Sequence, residues 1–238
     1  DFSGYTDMAI GAALLFNIKL PQNFNSPYKA TSIQDFWRRW HMTLSRFLKE
    51  YIYIPLGGNR NGTVSTCTNL LATFLIGGIW HGAAWTFVFW GFLHGVALII
   101  NNIWKSIGFK LPTLLAWFLT FNFVNITWIF FRAKEWDDAL KVLWSMFFGE
   151  LILPYKFIEK FSIFNRITAG KVFENIDASR DGIFWLLGTF LIILTFKNSS
   201  YYLYNFKANL QSAFLIYIFF ILSCLHLTRV SEFLYFNF

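Results

Sequence analysis

Four histidines, His41, His81, His94 and His226, are the side chains here that titrate near neutral pH without perturbation, so each is weighed as a catalytic base. His81 has the strongest case. It ends the apolar run Asn69 to Trp80 and is flanked by Gly77, Gly78 and Gly82. An ionisable group at membrane depth is costly and marks a functional position by default. Trp80, Trp85 and Trp90 supply an aromatic wall around it, with Trp80 and Trp85 as substrate-binding candidates. A desolvated imidazole is neutral at physiological pH and accepts a proton from a hydroxyl, which suits a general base. The sequence holds no GxSxG elbow. Direct transfer of an activated acyl group to an acceptor hydroxyl is therefore more economical than a covalent serine route.

His41 lies at the margin of an apolar helical face, beside Trp37, Leu44 and Leu48 rather than among Arg38, Arg39 and Arg46. A catalytic or binding role and an interfacial histidine among snorkelling arginines fit it equally. His94 follows His81 by thirteen residues, which on one regular helix separates them by roughly 140° about the axis. His226, one turn before Arg229, reads as a structural polar contact. The loop Pro55 to Gly62 lacks the GxxxxGK[ST] spacing of a phosphate cradle and reads as a turn. Two N-x-[ST] triplets at Asn61 and Asn198 are discounted as weak patterns on the expected inner side. Asp1, Ser3, Tyr5 and Asp7 give the first helix a polar interior face. No cluster of metal-ligand residues is expected, and the cofactor-binding residues stay unassigned.

The elements that must place these groups are membrane helices. Of 238 residues, 56% are hydrophobic and only 14% charged, against about 25% charged in a soluble domain. That excludes a disordered chain and makes the bilayer the natural solvent. Five spans are expected: Tyr5 to Leu20, Gly82 to Trp104, Leu111 to Phe131, Ile183 to Phe196 and Asn209 to Thr228. Asn69 to Trp80, at about 18 Å, is too short for a core of about 30 Å and predicts a broken helix that places His81 in an interior cavity or tunnel. Two amphipathic helices lie on the membrane: Thr31 to Ile54, with a capping pair at Thr31 and Gln34, and Trp136 to Phe147.

Charge supplies orientation. The net charge of +7 is concentrated between Lys19 and Arg60, where seven basic residues face two acidic ones, placing that stretch in the cytoplasm. Lys105 and Lys110 mark another inner loop, whereas Arg132 to Asp181 balances eight basic with eight acidic residues and fits the outside. Nucleic acid is not an expected partner; membrane lipids are. Cys67 and Cys224 build neither a disulfide framework nor a zinc set. The chain shows no signal peptide and reads as truncated at its start, with a natural end.

The strings DFSGYTDMAIG (1–11), LPQNFNSPYKATSIQDFWRRWHMTLSRFLKEYIYIPLGGNR (20–60) and GGIWHGAAWTFVFWGFLHG (77–95) resemble the membrane-bound O-acyltransferase family, in its alginate O-acetylation branch. The teichoic acid D-alanyl transfer proteins are near relatives of that branch, and the ending SEFLYFNF also looks like it. From 104 to 229 the likeness lies mainly in hydropathy. The resemblance implies an all-α, multi-span helical bundle around a tunnel in the bacterial inner membrane. It puts the catalytic histidine at His81 and the second tunnel position at His41, with Arg38, Arg39 and Asn59 shaping the cytoplasmic mouth. An acyl thioester such as acetyl-CoA would approach from the cytoplasm, and acetyl would pass to an exported polysaccharide such as alginate. A periplasmic partner of the serine-esterase type would complete the transfer. Family members carry further spans before DFSGY, so residues 1–238 are expected to be the C-terminal part of one membrane domain and to need the rest of it for activity.

Two other classes remain in view. A transporter would use the broken helix as its substrate site, but internal repeat symmetry is absent from the sequence. A scaffold would recruit an outer enzyme through Arg132 to Asp181 and leave His81 dispensable.

Overall fold

The computed structural model describes residues 2–149 and 180–226, the side chains of the second stretch from 186 to 225. Among the described residues there are helices and no strands. α1 (Phe2–Leu15) leads into a 3-10 turn (Pro27–Lys29), two short helices, α2 (Ile33–Trp37) and α3 (Met42–Leu48), and a π turn (Lys49–Tyr53). Three long helices follow: α4 (Gly62–His81), α5 (Trp85–Ile107) and α6 (Thr113–Arg132). α7 (Trp136–Phe148) precedes the undescribed stretch, and α8 (Arg180–Thr195), α9 (Ser199–Tyr204) and α10 (Leu210–His226) come after it. The expected outer segment Arg132 to Asp181 thus falls largely outside the described residues.

α4, α5 and α6 are the three described helices long and apolar enough to cross a membrane. This corrects the expectation that the helix before His81 is a twelve-residue fragment. α4 has 20 residues and rises about 30 Å, because it starts at Gly62, just after a turn that only glycine tolerates well, with φ of 107° at Gly57 and 58° at Gly58. Asn69 Nδ2 ties this turn down by donating to the Gly58 carbonyl at 2.9 Å. The interruption at His81 is present: Gly82 is extended and α5 restarts at Trp85. α4 and α5 therefore form an antiparallel hairpin with His81 at its turn and Gly62 and Ile107 at its other end. Of the other expected spans, α1, α8 and α10 have 14, 16 and 17 residues.

The hairpin closes because two glycines let the backbones touch. A Cβ on Gly78 would lie 2.4 Å from the Phe87 carbonyl oxygen, and one on Gly91 would lie 2.3 Å from that of Phe74. Gly91 and Gly95 are four residues apart on one face, the small-xxx-small spacing that membrane helices use for close approach. Around this seam a core assembles from Phe36 and Trp37 of α2, Phe74 of α4, Trp90 of α5, and Val124 and Phe131 of α6. Large apolar side chains such as Ile76, Leu114 and Leu119 face outward, as lipid contact requires.

The expected continuous helix from Thr31 to Ile54 is broken in the structure. Ser32, not Thr31, is the cap, its hydroxyl accepting from the Asp35 N–H at 3.1 Å. α2 stops after one turn, and His41 takes a left-handed conformation at φ 42°, ψ 55° before α3. Such a backbone costs about 1–3 kcal/mol in a non-glycine residue and persists only where neighbours hold it. Asn25 N–H donating to the Arg39 carbonyl and Met42 N–H to the Asn23 carbonyl, both at 2.9 Å, strap the turn to the preceding loop. α7 forms as expected; Trp136 anchors it on Phe89 and Phe130, at 4.9 and 5.5 Å between ring centroids.

The Gly78–Gly91 contact makes a graded prediction. Gly91→Ala drives a Cβ into backbone and is expected to cost about 1–3 kcal/mol, seen as a lower melting temperature in lipid. Gly77→Ala meets only the Leu48 Cδ1 end at 3.2 Å and should cost less.

Candidate active site

His81 is enclosed by rings. Phe131, Trp80 and Trp90 stand at 4.9, 4.9 and 5.2 Å with interplanar angles of 79°, 72° and 88°, and Phe87 lies more nearly parallel at 6.4 Å. Among the described residues neither ring nitrogen has a hydrogen-bond partner. The imidazole is thus positioned by packing, and both nitrogens stay available to a water or substrate. Trp80 belongs to this enclosure. Trp85 does not touch the His81 ring among the described contacts and is 79% exposed at the start of α5.

His41 is held by hydrogen bonds instead. Asn23 Oδ1 accepts from the Thr43 N–H at 3.2 Å and from its hydroxyl at 2.9 Å, and His41 Nδ1 lies 3.1 Å from the same oxygen. The backbone N–H of Thr43 fixes which end of the Asn23 amide is oxygen. Nδ1 must therefore donate, so the neutral ring presents its lone pair at Nε2. Burial lowers the His41 pKa to about 4, because desolvation penalises the imidazolium. Phe2 stands edge-on at 4.9 Å, tying α1 to this ring. His41 and His81 are close enough for a charge on one to act on the other.

The structure corrects the separation of His81 from His94. They sit on different helices, and the hairpin brings the Trp90 ring against both, 5.2 Å from His81 and 4.8 Å from His94. His94 is fully buried. Its Nδ1 accepts from Trp37 Nε1–H at 3.1 Å, while Trp37 packs edge-on to Trp90 at 5.8 Å.

Trp37 also lines a cavity of about 410 Å³ on the other side, together with Arg38, Lys49, Asn59, Asn101 and Lys105. Lys105 Nζ donates to Gln34 Oε1 there. The first basic stretch and the last turn of α5 thus meet at the Gly62 end of the hairpin. Arg38 and Asn59 line this cavity. Arg39 does not: its Nε–H donates to Asp35 at 2.9 Å and Nη1–H to the Asn25 carbonyl at 3.4 Å, bracing α2.

Asn23, Trp37, His94 and Trp128 are the site residues that the helical pattern did not reveal. Trp128 stacks on Trp90 at 6.2 Å from the next helix, α6, a contact no local spacing encodes. Asn23 sits in a loop without periodicity, and its one available signal is its place in a polar run before the WRRWH string.

Comparison with known proteins extends the description. Residues 1–132 match the family model described as MBOAT, membrane-bound O-acyltransferase family. The chain is 50% identical over 206 residues to a peptidoglycan O-acetyltransferase of Helicobacter pylori, covering 84% of this chain and 39% of that protein. It is 46% identical over 155 residues to a probable alginate O-acetylase of Azotobacter vinelandii, covering 64% and 31%. A teichoic acid D-alanyltransferase of Bacillus subtilis is 32% identical over 149 residues, covering 56% and 38%. The chain spans less than half the length of these relatives.

The His41 environment predicts a pH dependence. Its folded pKa of about 4 lies below the unfolded value near 6.5, so its contribution to stability is full above pH 6.5 and is lost as pH falls through 4. His41→Asn cannot titrate and tolerates the left-handed backbone. Melting temperatures from pH 7 to 4 should fall less for this variant than for the native protein.

Proposed function

Because the chain belongs to the membrane-bound O-acyltransferase family, we propose that it carries the catalytic site of an acetyltransferase acting on an exported cell-envelope glycan. His81 is the general base and His41 a neutral partner. The donor is a cytoplasmic thioester such as acetyl-CoA, and its anionic carrier is received by the cavity of Arg38, Lys49 and Lys105. The observation that carries this reading is the arrangement itself. A basic cavity at one end of the hairpin has Trp37 in its lining, and from Trp37 a series of ring contacts through Trp90 reaches an imidazole with both nitrogens unengaged.

The chemistry follows from those groups. The acceptor hydroxyl passes its proton to His81 while its oxygen attacks the thioester carbonyl; an O–C bond forms, the C–S bond breaks, and the proton returns from His81 to the leaving sulfur. His41, held through Nδ1 by Asn23, stays neutral and adds no positive charge to compete with the one His81 transiently gains. The longer similarity to the peptidoglycan O-acetyltransferase supports peptidoglycan as acceptor over alginate. Placement in the bacterial inner membrane, with a serine-esterase-like acetyltransferase outside, belongs to the same reading.

The test is acetyl content of envelope glycans in cells making native protein or His81→Ala at matched membrane abundance. Loss of a general base should lower transfer by about 10²–10⁴-fold; retained acetylation would overturn the catalytic reading in favour of a scaffold. In membranes, Arg38→Ala with Lys105→Ala should raise the KM for the thioester several-fold with little change in kcat.

A further inference from the structure

The core beside His81 contains hydrogen-bond donors that no group among the described residues answers. Trp37 Nε1–H donates to His94 Nδ1, so the neutral His94 ring carries its own proton on Nε2. That N–H is buried and has no acceptor among the described residues. The same holds for Trp90 Nε1–H and Trp128 Nε1–H. His94 and Trp90 are 0% and 2% exposed. Trp128 faces the Tyr28 hydroxyl without reaching hydrogen-bond geometry.

These groups are neighbours. The Trp90 ring touches His94 at 4.8 Å, Trp128 at 6.2 Å and His81 at 5.2 Å. Phe131 packs against Trp90, Trp128 and His81 at 5.1, 5.3 and 4.9 Å. Buried polar groups are nearly always paired, and an unpaired one calls for an explanation. Here every such group among the described residues is a donor and none is charged, so the missing partner is an acceptor.

We propose that the N–H groups of His94 and Trp90 form a site for the carbonyl oxygen of the transferred acyl group. The inference rests on the acyl-transfer reading above. When the acceptor oxygen bonds to the carbonyl carbon, the carbonyl π pair moves to this oxygen and leaves it negative. The proton released from the hydroxyl goes to His81. Collapse restores the carbonyl and expels the sulfur, which takes the proton from His81. Neutral donors in a dry aromatic shell stabilise that oxygen most when its charge is greatest, which accelerates the chemical step rather than binding. Trp37 is then a positioning residue, since its N–H dictates that His94 points a donor, not a lone pair, into the site.

The experiment measures kcat, KM for an acetyl thioester and melting temperature for the purified protein in lipid, with native protein, His94→Leu, His94→Gln, Trp90→Phe and His81→Ala compared. His94→Leu removes the donor; His94→Gln returns an N–H near the Nε2 position; Trp90→Phe keeps an aromatic ring without its N–H. The expected result is a fall in kcat of about 100-fold for His94→Leu and Trp90→Phe, with KM changed less than threefold and about tenfold of the kcat recovered in His94→Gln. A kcat within twofold of native in both donor-free variants, with a lowered melting temperature, would overturn the proposal and assign the donors to a fixed water or another protein oxygen. Trp90→Phe keeps the test decisive if His94→Leu does not fold. An active His81→Ala would sink the acyl-transfer reading itself, whereas an inactive His81→Ala beside fully active donor variants would sink this inference alone.

Discussion

Everything in this molecule hangs on the contact between Gly78 and Gly91. Lipid tails are as apolar as leucine, so two membrane helices gain little by hiding side chains from the solvent around them and must gain by fitting. Two bare backbones in contact are the tightest fit available. Their apposition sets the depth at which Trp90 faces His81, and hence the distance from His81 to His94. It also fixes the far end, where α4 and α5 bring Asn59 and Lys105 to one cavity. The site is therefore a property of the hairpin's registration rather than of any loop.

On this frame the two ends of the bundle differ in kind. One end is polar, cationic and open. The other is an aromatic enclosure in which rings hold rings, and only His41 is fixed by a polar network. Rings make good walls around a base because they restrict it without competing for its protons, whereas the Asn23 network does the opposite for His41 by consuming one nitrogen and defining the other. The same residue type is thus given two distinct forms by two environments within electrostatic reach of each other.

The helical character, the long apolar runs and the family were legible in the sequence because they are written in composition and in contiguous strings such as GGIWHG. The break at His81 was legible because Gly77, Gly78 and Gly82 gather around it in an apolar run. The misreadings share a cause. Helical periodicity carries no mark of where a helix stops, so Thr31 to Ile54 looked continuous although His41 turns the chain, and His94 looked remote although the hairpin folds it back. Gly91 and Gly95 carried the needed signal for that fold, four residues apart in the string GFLHG. The pairing of Trp37 with His94, 57 residues apart, is a tertiary fact that no local pattern holds.

Trp37 joins two tasks in one side chain. It lines the cationic cavity, and its N–H decides which nitrogen of His94 carries hydrogen. Any displacement of that ring would release His94 to choose either tautomer. Displacement and readiness therefore exclude each other at this point, as in a canal lock whose two gates share one lever: while the indole is swung aside His94 is not set, and it becomes set only when the indole has swung back.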